Sequence, residues 1–141
     1  DDNSKWDIKP NEKAYENALL HKNIEYYRVT TIREIKEALY LAKQTNKHMF
    51  IIIGIKVYES FESDECMKTG IVPENSGDIL GGHALLVDSY DEFDTNFNYI
   101  EVANSWGNDI GDEGFFKIRY DILESCLMDA WVVTDLGDTL D

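Results

Sequence analysis

The sequence predicts one α+β domain, and three segments carry that prediction. Residues 84–90 and 99–103 are apolar-rich runs on either side of a polar stretch, which is the pattern of a β-hairpin. Residues 49–55 form an apolar run typical of a buried strand, far shorter than the roughly 20 residues that a bilayer requires. Apolar residues between positions 31 and 42 recur at helical spacing. Antiparallel strands and helices are therefore expected to share one core.

The first helix is expected at residues 11–21, directly after Pro10, because proline favours the first turn of a helix. Its residues Ala14, Ala18 and Leu19 fall on one side at helical spacing. We therefore expect that side of the helix to face inward.

A short strand at residues 24–29 leads into the second helix. Thr31 and Glu34 have the spacing of a capping box, in which each side chain accepts a hydrogen bond from the other residue's backbone N–H. The helix is expected to pack on the sheet through one apolar stripe, formed by Ile32, Ile35, Leu39 and Ala42.

The rest of the chain is expected to complete the sheet. In order, we expect a central strand at 48–58, a turn or short helix at 59–63, a long loop at 64–80, and later strands at 114–120 and 130–134. A loop as long as 64–80 inside a compact domain is usually functional or mobile.

Composition and charge limit the possible functions. With 141 residues, of which 43% are hydrophobic and 12% aromatic, the chain is long enough to bury a core as one domain. Its 28 acidic and 13 basic residues give a net charge of −15, so nucleic-acid binding is disfavoured. The acidic residues either form a solvated surface or attract basic substrates. We expect no membrane partner, no cofactor and no metal; an acidic loop at 109–113 lacks the alternation of a calcium-binding loop.

Two motifs flank the hairpin and are expected to meet. Residues 81–84 read Gly-Gly-His-Ala, and residues 104–107 read Asn-Ser-Trp-Gly. With a turn near residues 94–95, we expect a register that pairs Val87 with Ile100, Leu85 with Val102, and His83 with Asn104. Directly opposed side chains have Cβ atoms about 4.5–5.5 Å apart, close enough for an imidazole to hydrogen-bond a carboxamide.

A paired imidazole and amide indicate acid–base chemistry. When one ring nitrogen of His83 is held by Asn104, the other is free to exchange protons with a nucleophile or leaving group. A neutral amide does not stabilise the imidazolium as a carboxylate would, and it therefore suits a thiolate as the nucleophile. The alternative is an ordinary hairpin in which the two side chains satisfy each other at the end of the sheet.

The motifs resemble the C-terminal half of papain-like cysteine peptidases, especially bacterial members. The resemblance rests on Gly-x-His-Ala followed by Asn-Ser-Trp-Gly, Gly111 and Gly114, and it extends over about residues 10–134. It implies the right-hand, β-barrel-like domain of that family at residues 24–141, with an acidic C-terminal tail. Residues 1–23 would be the trailing segment of the helical left-hand domain.

The resemblance also implies residue roles. His83 would shuttle the proton, Asn104 would orient the ring, and Trp106 would shield their hydrogen bond from water. The substrate cleft would run between the two domains. Its substrate-binding residues here would be Gly81, Gly82, Ala84 and Phe61, and the backbone at Gly82 can approach an extended peptide because it carries no side chain. A bulge or turn at the strand entrance is the alternative reason for the glycines.

The nucleophile of that family is expected to lie outside this chain. It sits in a Cys-Gly-Ser/Ala-Cys-Trp/Tyr segment about 130–150 residues before the histidine and asparagine. Only 82 residues precede His83, Cys66 lies in an acidic segment, and Cys126 follows the histidine. We therefore expect a missing N-terminal half to carry the nucleophile and the oxyanion glutamine, and this chain alone to be inactive.

Three further questions stay open from the sequence. The chain either hydrolyses a peptide or protein substrate together with its missing half, or it is an inactive pseudo-peptidase that binds peptides or serves assembly, and it could also pair with a second copy. Cys66 and Cys126 are free thiols or, as in some papain relatives, a disulfide. Localisation is not indicated by the residues, and only the family resemblance favours a secreted or cell-envelope protein.

Overall fold

Six antiparallel strands form one sheet in the computed structural model, which describes residues 8–20, 23–45, 49–93 and 97–135. The described helices are α1 (Glu12–Ala18), α2 (Ile32–Thr45), α3 (Asp64–Thr69) and α4 (Tyr120–Cys126). The strands are β1 (Asn23–Val29), β2 (Met49–Tyr58), β3 (Ile79–Asp91), β4 (Tyr99–Ala103), β5 (Phe115–Arg119) and β6 (Leu127–Asp135). Their order across the sheet is β1-β6-β2-β3-β4-β5.

This arrangement confirms the predicted α+β class and the antiparallel sheet with flanking helices. The sheet is open, with β1 and β5 at its edges, so a closed barrel does not form. Edge strand β5 is partly covered, because the backbone N–H of Val72 donates to the carbonyl of Lys117 at 3.0 Å and that of Lys117 donates to Gly70 at 2.7 Å. None of the helices in the described ranges has the length and apolarity needed to cross a membrane.

The core lies on one face of the sheet, against α2 and α4. Along β2 the buried residues alternate, and Ile51, Ile53 and Ile55 are each at most 1% exposed. They share the core with Ile35 of α2 and Leu123 of α4, both fully buried. Burying an isoleucine side chain stabilises the fold by about 1.5–3 kcal/mol, so this alternation determines which face of each central strand points inward.

Helix α2 begins at the predicted capping box. The Glu34 carboxylate accepts hydrogen bonds from the backbone N–H groups of Thr30 at 2.7 Å and Thr31 at 3.0 Å. In return, the Glu34 N–H donates to the Thr31 hydroxyl at 3.2 Å. These hydrogen bonds, above all that from the Thr30 N–H, hold the pKa of Glu34 below its ordinary value. Of the predicted stripe, Ile32 and Ile35 are buried.

The rest of the stripe is partly exposed, and Ala38 joins the core instead. Leu39 and Ala42 are half-buried, while Ala38 is 5% exposed. At 3.6 residues per turn Ala38 lies about 60° from Ile35, on the side away from Leu39, so the buried stripe is turned towards Ala38.

The orientation predicted for α1 is wrong. Asn11 caps the helix through a 2.9 Å hydrogen bond from the Ala14 N–H, but no residue of the helix is buried. Ala14, Ala18 and Leu19 are exposed, Leu19 at 61%. The helix also ends at Ala18, and the predicted end at residue 21 lies outside the described residues. The Asn11 cap accounts for the start of this short helix. Its apolar side is exposed because no described element packs on it.

The predicted long loop at 64–80 contains a helix. Ser63 accepts from the Cys66 N–H at 3.4 Å and starts α3, which ends at Gly70 in the left-handed conformation with φ 70°. The segment carries three helix signals: a serine N-cap, acidic residues in the first turn and a glycine after the last turn. The loop prediction gave more weight to the glycines and the proline of the segment, so it missed the helix. Only residues 70–78 connect α3 to β3.

The predicted hairpin register is also wrong. Val87 pairs with Val102, whereas Ile100 pairs with Tyr90. The connection between Asp91 and Tyr99 is centred later in the chain than expected, and a bulge interrupts the ladder after Val87. The predicted turn at residues 94–95 lies outside the described residues, as do residues 1–7 and the acidic tail at 136–141. The division of the chain at residues 23 and 24 stays a prediction.

Replacing Glu34 by glutamine should make the protein less resistant to urea near pH 7. Because folding lowers the pKa of Glu34, its contribution is present above the unfolded-state pKa of about 4.3 and disappears as the pH falls through the folded-state value. The two proteins should therefore converge in acid. Urea unfolding at several pH values measures the difference.

Glu37→Gln is the matched control on the same helix. The Glu37 carboxylate pairs with Arg33 at 2.9 Å on the surface, and exposed pairs contribute little. Equal losses in the two variants at every pH would contradict the capping role of Glu34.

Candidate active site

His83 and Asn104 lie within hydrogen-bonding distance at one end of the sheet. His83 belongs to β3, opposite Ile55 of β2, and Asn104 directly follows β4. The imidazole Nε2 is 2.9 Å from the Asn104 Oδ1. The backbone N–H of Asn104 donates to the carbonyl of Gly114 at 3.0 Å, which fixes the start of the loop that carries the amide.

A second hydrogen bond determines which nitrogen of His83 carries the proton. The Asn104 Oδ1 also lies 2.8 Å from the backbone nitrogen of Ser105. A backbone N–H can only donate, so the amide atom that faces it must be the carbonyl oxygen. The His83 Nε2 must then donate to the same oxygen. In the neutral ring, Nδ1 is left unprotonated and able to accept a proton.

Trp106 stacks on the imidazole of His83. The two ring centroids are 5.0 Å apart, with an angle of 21° between the planes. Trp106 belongs to the loop that follows β4, whose last residue, Ala103, pairs with Leu86 of β3. The indole therefore covers one face of the imidazole ring.

Two buried phenylalanines support the indole. Phe61 and Phe116 meet the Trp106 ring edge-on at 5.9 and 6.4 Å, and they stack on each other at 5.4 Å. Phe61 is 3% exposed, so it backs the indole and does not line the surface where substrate binding was expected. The short 3₁₀ turn Glu59–Glu62 directs it inward.

Sequence reasoning did not single out Phe116. It is fully buried in β5, where it alternates with the equally buried Ile118. That alternation was the available signal, because residues two apart in a strand share a face.

Gly111 allows the ring of Phe116 to pack closely against the loop that follows Asn104. Its φ is 69°, and a Cβ added there would lie 2.8 Å from the Phe116 ring and 2.7 Å from the Phe115 carbonyl oxygen. Its N–H donates to the Met67 carbonyl at 2.6 Å. Helix α3 and β5 thus hold the loop that follows Asn104, and only glycine combines this conformation with this closeness.

A hollow of about 130 Å³ opens beside His83. Its lining consists of Val57, Glu62, Leu80, Gly81, Gly82, His83 and Trp106. At Gly81 a side chain would meet no atom within 4 Å, so the strand leaves this space open. Ala84 is not among the lining residues: it pairs with Gly54 and points to the opposite face of the sheet from His83. A larger hollow of about 740 Å³ lies between α2 and the end of β3, away from the dyad.

Comparison with known proteins identifies the family. The description "Papain family cysteine protease" matches residues 4–136 of this chain. The chain belongs to the papain family of cysteine proteases.

Relatives of this papain-family chain are longer than it is. An uncharacterized peptidase C1-like protein of Acanthamoeba polyphaga mimivirus is 32% identical over 96% of this chain and 45% of its own length. Cathepsin B-like cysteine proteinase 3 of Caenorhabditis elegans is 32% identical over 83% of this chain and 30% of its own length. The chain thus spans less than half the length of these relatives.

Solved structures agree with the family fold. Xylellain, a cysteine protease from Xylella fastidiosa, superposes with a TM-score of 0.67 and 27% identity over 89% of this chain and 45% of that one. The proCathepsin B S9 of Trypanosoma congolense, at 23% identity and a TM-score of 0.60, shares the fold. These similarities do not confirm the expectation of a bacterial-type member.

Both cysteines of this papain-family chain are buried. Burial leaves Cys66 1% exposed and raises the pKa of its thiol to about 11. Cys126 is 3% exposed, and burial raises the pKa of its thiol as well. Both are free thiols, so the disulfide considered above does not form. Neither borders the hollow beside His83.

The proton on the His83 Nε2 can be observed by nuclear magnetic resonance. In the neutral state, long-range ¹H–¹⁵N spectra should show Nε2 protonated and Nδ1 unprotonated. Asn104→Ala should produce a mixture of tautomers because the ring loses its acceptor. Variants at His21 and His48 assign the three histidines, and Asn108→Ala is the control within the same loop. A neutral ring protonated at Nδ1 in the unaltered protein would contradict the proposed orientation of the amide.

Gly111→Ala should destabilise the protein by about 2 kcal/mol and change the fluorescence of Trp106. The expected loss combines strain from a positive φ with overpacking against Phe116. Gly107→Ala is the matched control: its φ is 101°, but a Cβ there meets nothing within 4 Å. That control carries the strain of a positive φ, roughly 1–2 kcal/mol, without the overpacking, and it should change the emission less than Gly111→Ala does.

Urea unfolding measures both losses, and a Trp106→Phe variant identifies the emission of that indole. Equal behaviour of the two glycine variants would show that closeness to Phe116 is unimportant.

Proposed function

We propose that this chain provides the acid–base half of a papain-like active site, which hydrolyses peptide bonds by a Cys-His-Asn mechanism. The supporting observation is the His83 ring, whose Nε2 donates to Asn104 and whose Nδ1 is left free. Family membership supports the same chemistry. The nucleophilic cysteine comes from a part of the polypeptide outside this chain, since both thiols here are buried.

The proposed reaction is acyl transfer in two steps. A thiolate attacks the peptide carbonyl carbon, and His83 as imidazolium donates its Nδ1 proton to the leaving amine as the C–N bond breaks. Neutral His83 then accepts a proton from water as the water oxygen attacks the acyl carbon; the C–S bond breaks, and the thiolate and the imidazolium are restored. Asn104 holds the ring in one orientation through both steps, and Trp106 keeps water from competing for their hydrogen bond.

The outer face of the sheet supports a role for a second polypeptide segment. We define the outer apolar face as six residues on the side away from the core: Tyr26, Phe50, Ile52, Leu86, Trp131 and Val133. Ile52 pairs with Leu86 and Trp131, and Val133 pairs with Phe50 and Tyr26, so the face is continuous across four strands. Phe50, Ile52 and Leu86 are 40–45% exposed.

An apolar surface of this kind usually marks a contact site. On the same side of the sheet, the next residues towards the end that carries His83 are Gly54 and Ala84. A segment seated on the outer apolar face would therefore reach the strand that bears the histidine. We propose that the nucleophile-bearing half packs there, and that Ala84 contacts substrate where the two halves meet.

Combining this chain with the complementary nucleophile-bearing half should produce labelling by an epoxysuccinyl peptide, whereas the chain alone should not be labelled. His83→Ala should lower kcat/KM for peptide hydrolysis by about 10²- to 10⁴-fold, the usual contribution of a general acid–base. Asn108→Ala is the control and should retain activity.

Two outcomes of this experiment would oppose the proposal. Labelling at the full rate in His83→Ala would refute the role of the ring. An intact complex that contains the cysteine but neither reacts nor hydrolyses peptides would support the pseudo-peptidase alternative.

A further inference from the structure

Glu62 contributes the one carboxylate among the described residues that line the hollow beside His83. The exposed side chain of Leu80 supplies an apolar wall, polar groups make up the larger part of the lining, and the ring of Trp106 closes one side. A hollow with one aliphatic wall and one carboxylate fits a side chain with an apolar stem and a positive end.

The backbone around Glu62 is held in place while its side chain is exposed. The preceding residue, Phe61, is buried against Trp106. The following residue, Ser63, caps α3 and accepts from the Met67 N–H at 2.9 Å through its carbonyl. In the described part of the chain Glu62 takes part in no ion pair. Its charge is therefore available to a ligand in the hollow.

The proposed chemistry determines which part of a substrate enters this hollow. His83 must give its proton to the leaving amine, so the substrate residue that carries this amine has to lie against the imidazole. Its side chain then has the adjoining space to occupy, and that space is bordered by Glu62.

We propose that Glu62 selects lysine or arginine at the substrate position immediately after the scissile bond. This inference rests on the proposed function. The net charge of −15 attracts cationic peptides in general, but a field of that kind does not distinguish one substrate position from another. Glu62 does so because it lies beside the group that protonates the leaving amine.

Binding to this chain alone tests the preference without requiring activity. Arginine amide and citrulline amide have nearly the same shape, and only the first carries a charged side-chain end. Arginine amide should shift the resonances of Trp106 and His83 at a concentration about 2- to 5-fold lower than citrulline amide, the ratio expected for an exposed ion pair.

Glu62→Gln should abolish this difference, whereas Glu65→Gln, which removes the same charge from α3, should preserve it. Equal shifts by the two amides in the unaltered chain, or the same loss of preference in both variants, would overturn the inference.

Hydrolysis by the combined halves provides the second arm. Two peptides that differ only by arginine or citrulline after the scissile bond should differ about 2- to 5-fold in kcat/KM, and Glu62→Gln should remove the difference. Hydrolysis without any such preference would refute the role of Glu62 alone. Preferential binding of arginine amide by a complex that never hydrolyses peptides would refute the proposed function and leave the binding role of Glu62 intact.

Discussion

The hydrogen bond from the His83 Nε2 to the Asn104 Oδ1 is the interaction on which the site depends. One amide oxygen accepts from both the imidazole and the Ser105 backbone, so the position of the proton on the ring follows from a backbone group that can only donate. A freely rotating amide could present either its oxygen or its nitrogen. Here the backbone N–H of Ser105 fixes the orientation of the amide, and Nδ1 is left without a proton in the neutral ring.

The scaffold holds that bond by packing aromatic rings behind it. Phe116 and Phe61 support the indole of Trp106, and the indole covers the imidazole. The stack requires Gly111, where a side chain would collide with Phe116. Because the N–H of this glycine is bound to α3, the loop after β4 is fixed from two sides. A ring held in this way loses little conformational freedom when a substrate binds, which favours proton transfer.

Local patterns were sufficient for several elements and misleading for others. The capping box of Thr31 and Glu34 involves residues three apart, so its prediction needed no tertiary information and is confirmed. The hairpin register depends on where a turn is centred and on a bulge after Val87, and alternation alone gives neither. The apolar side of α1 shows a different limit, because spacing indicates which residues share a side but not whether another element covers it.

The sequence by itself determined the family, the α+β class and the pair of motifs that contain His83 and Asn104, because residue identity and spacing are properties of the chain. Only the tertiary structure decided that Phe61 lies behind the indole, that Ala84 faces the opposite side of the sheet, and that Glu62 borders the hollow beside the imidazole. The physical reason is that the direction of a side chain depends on the pairing and packing of segments distant in the sequence.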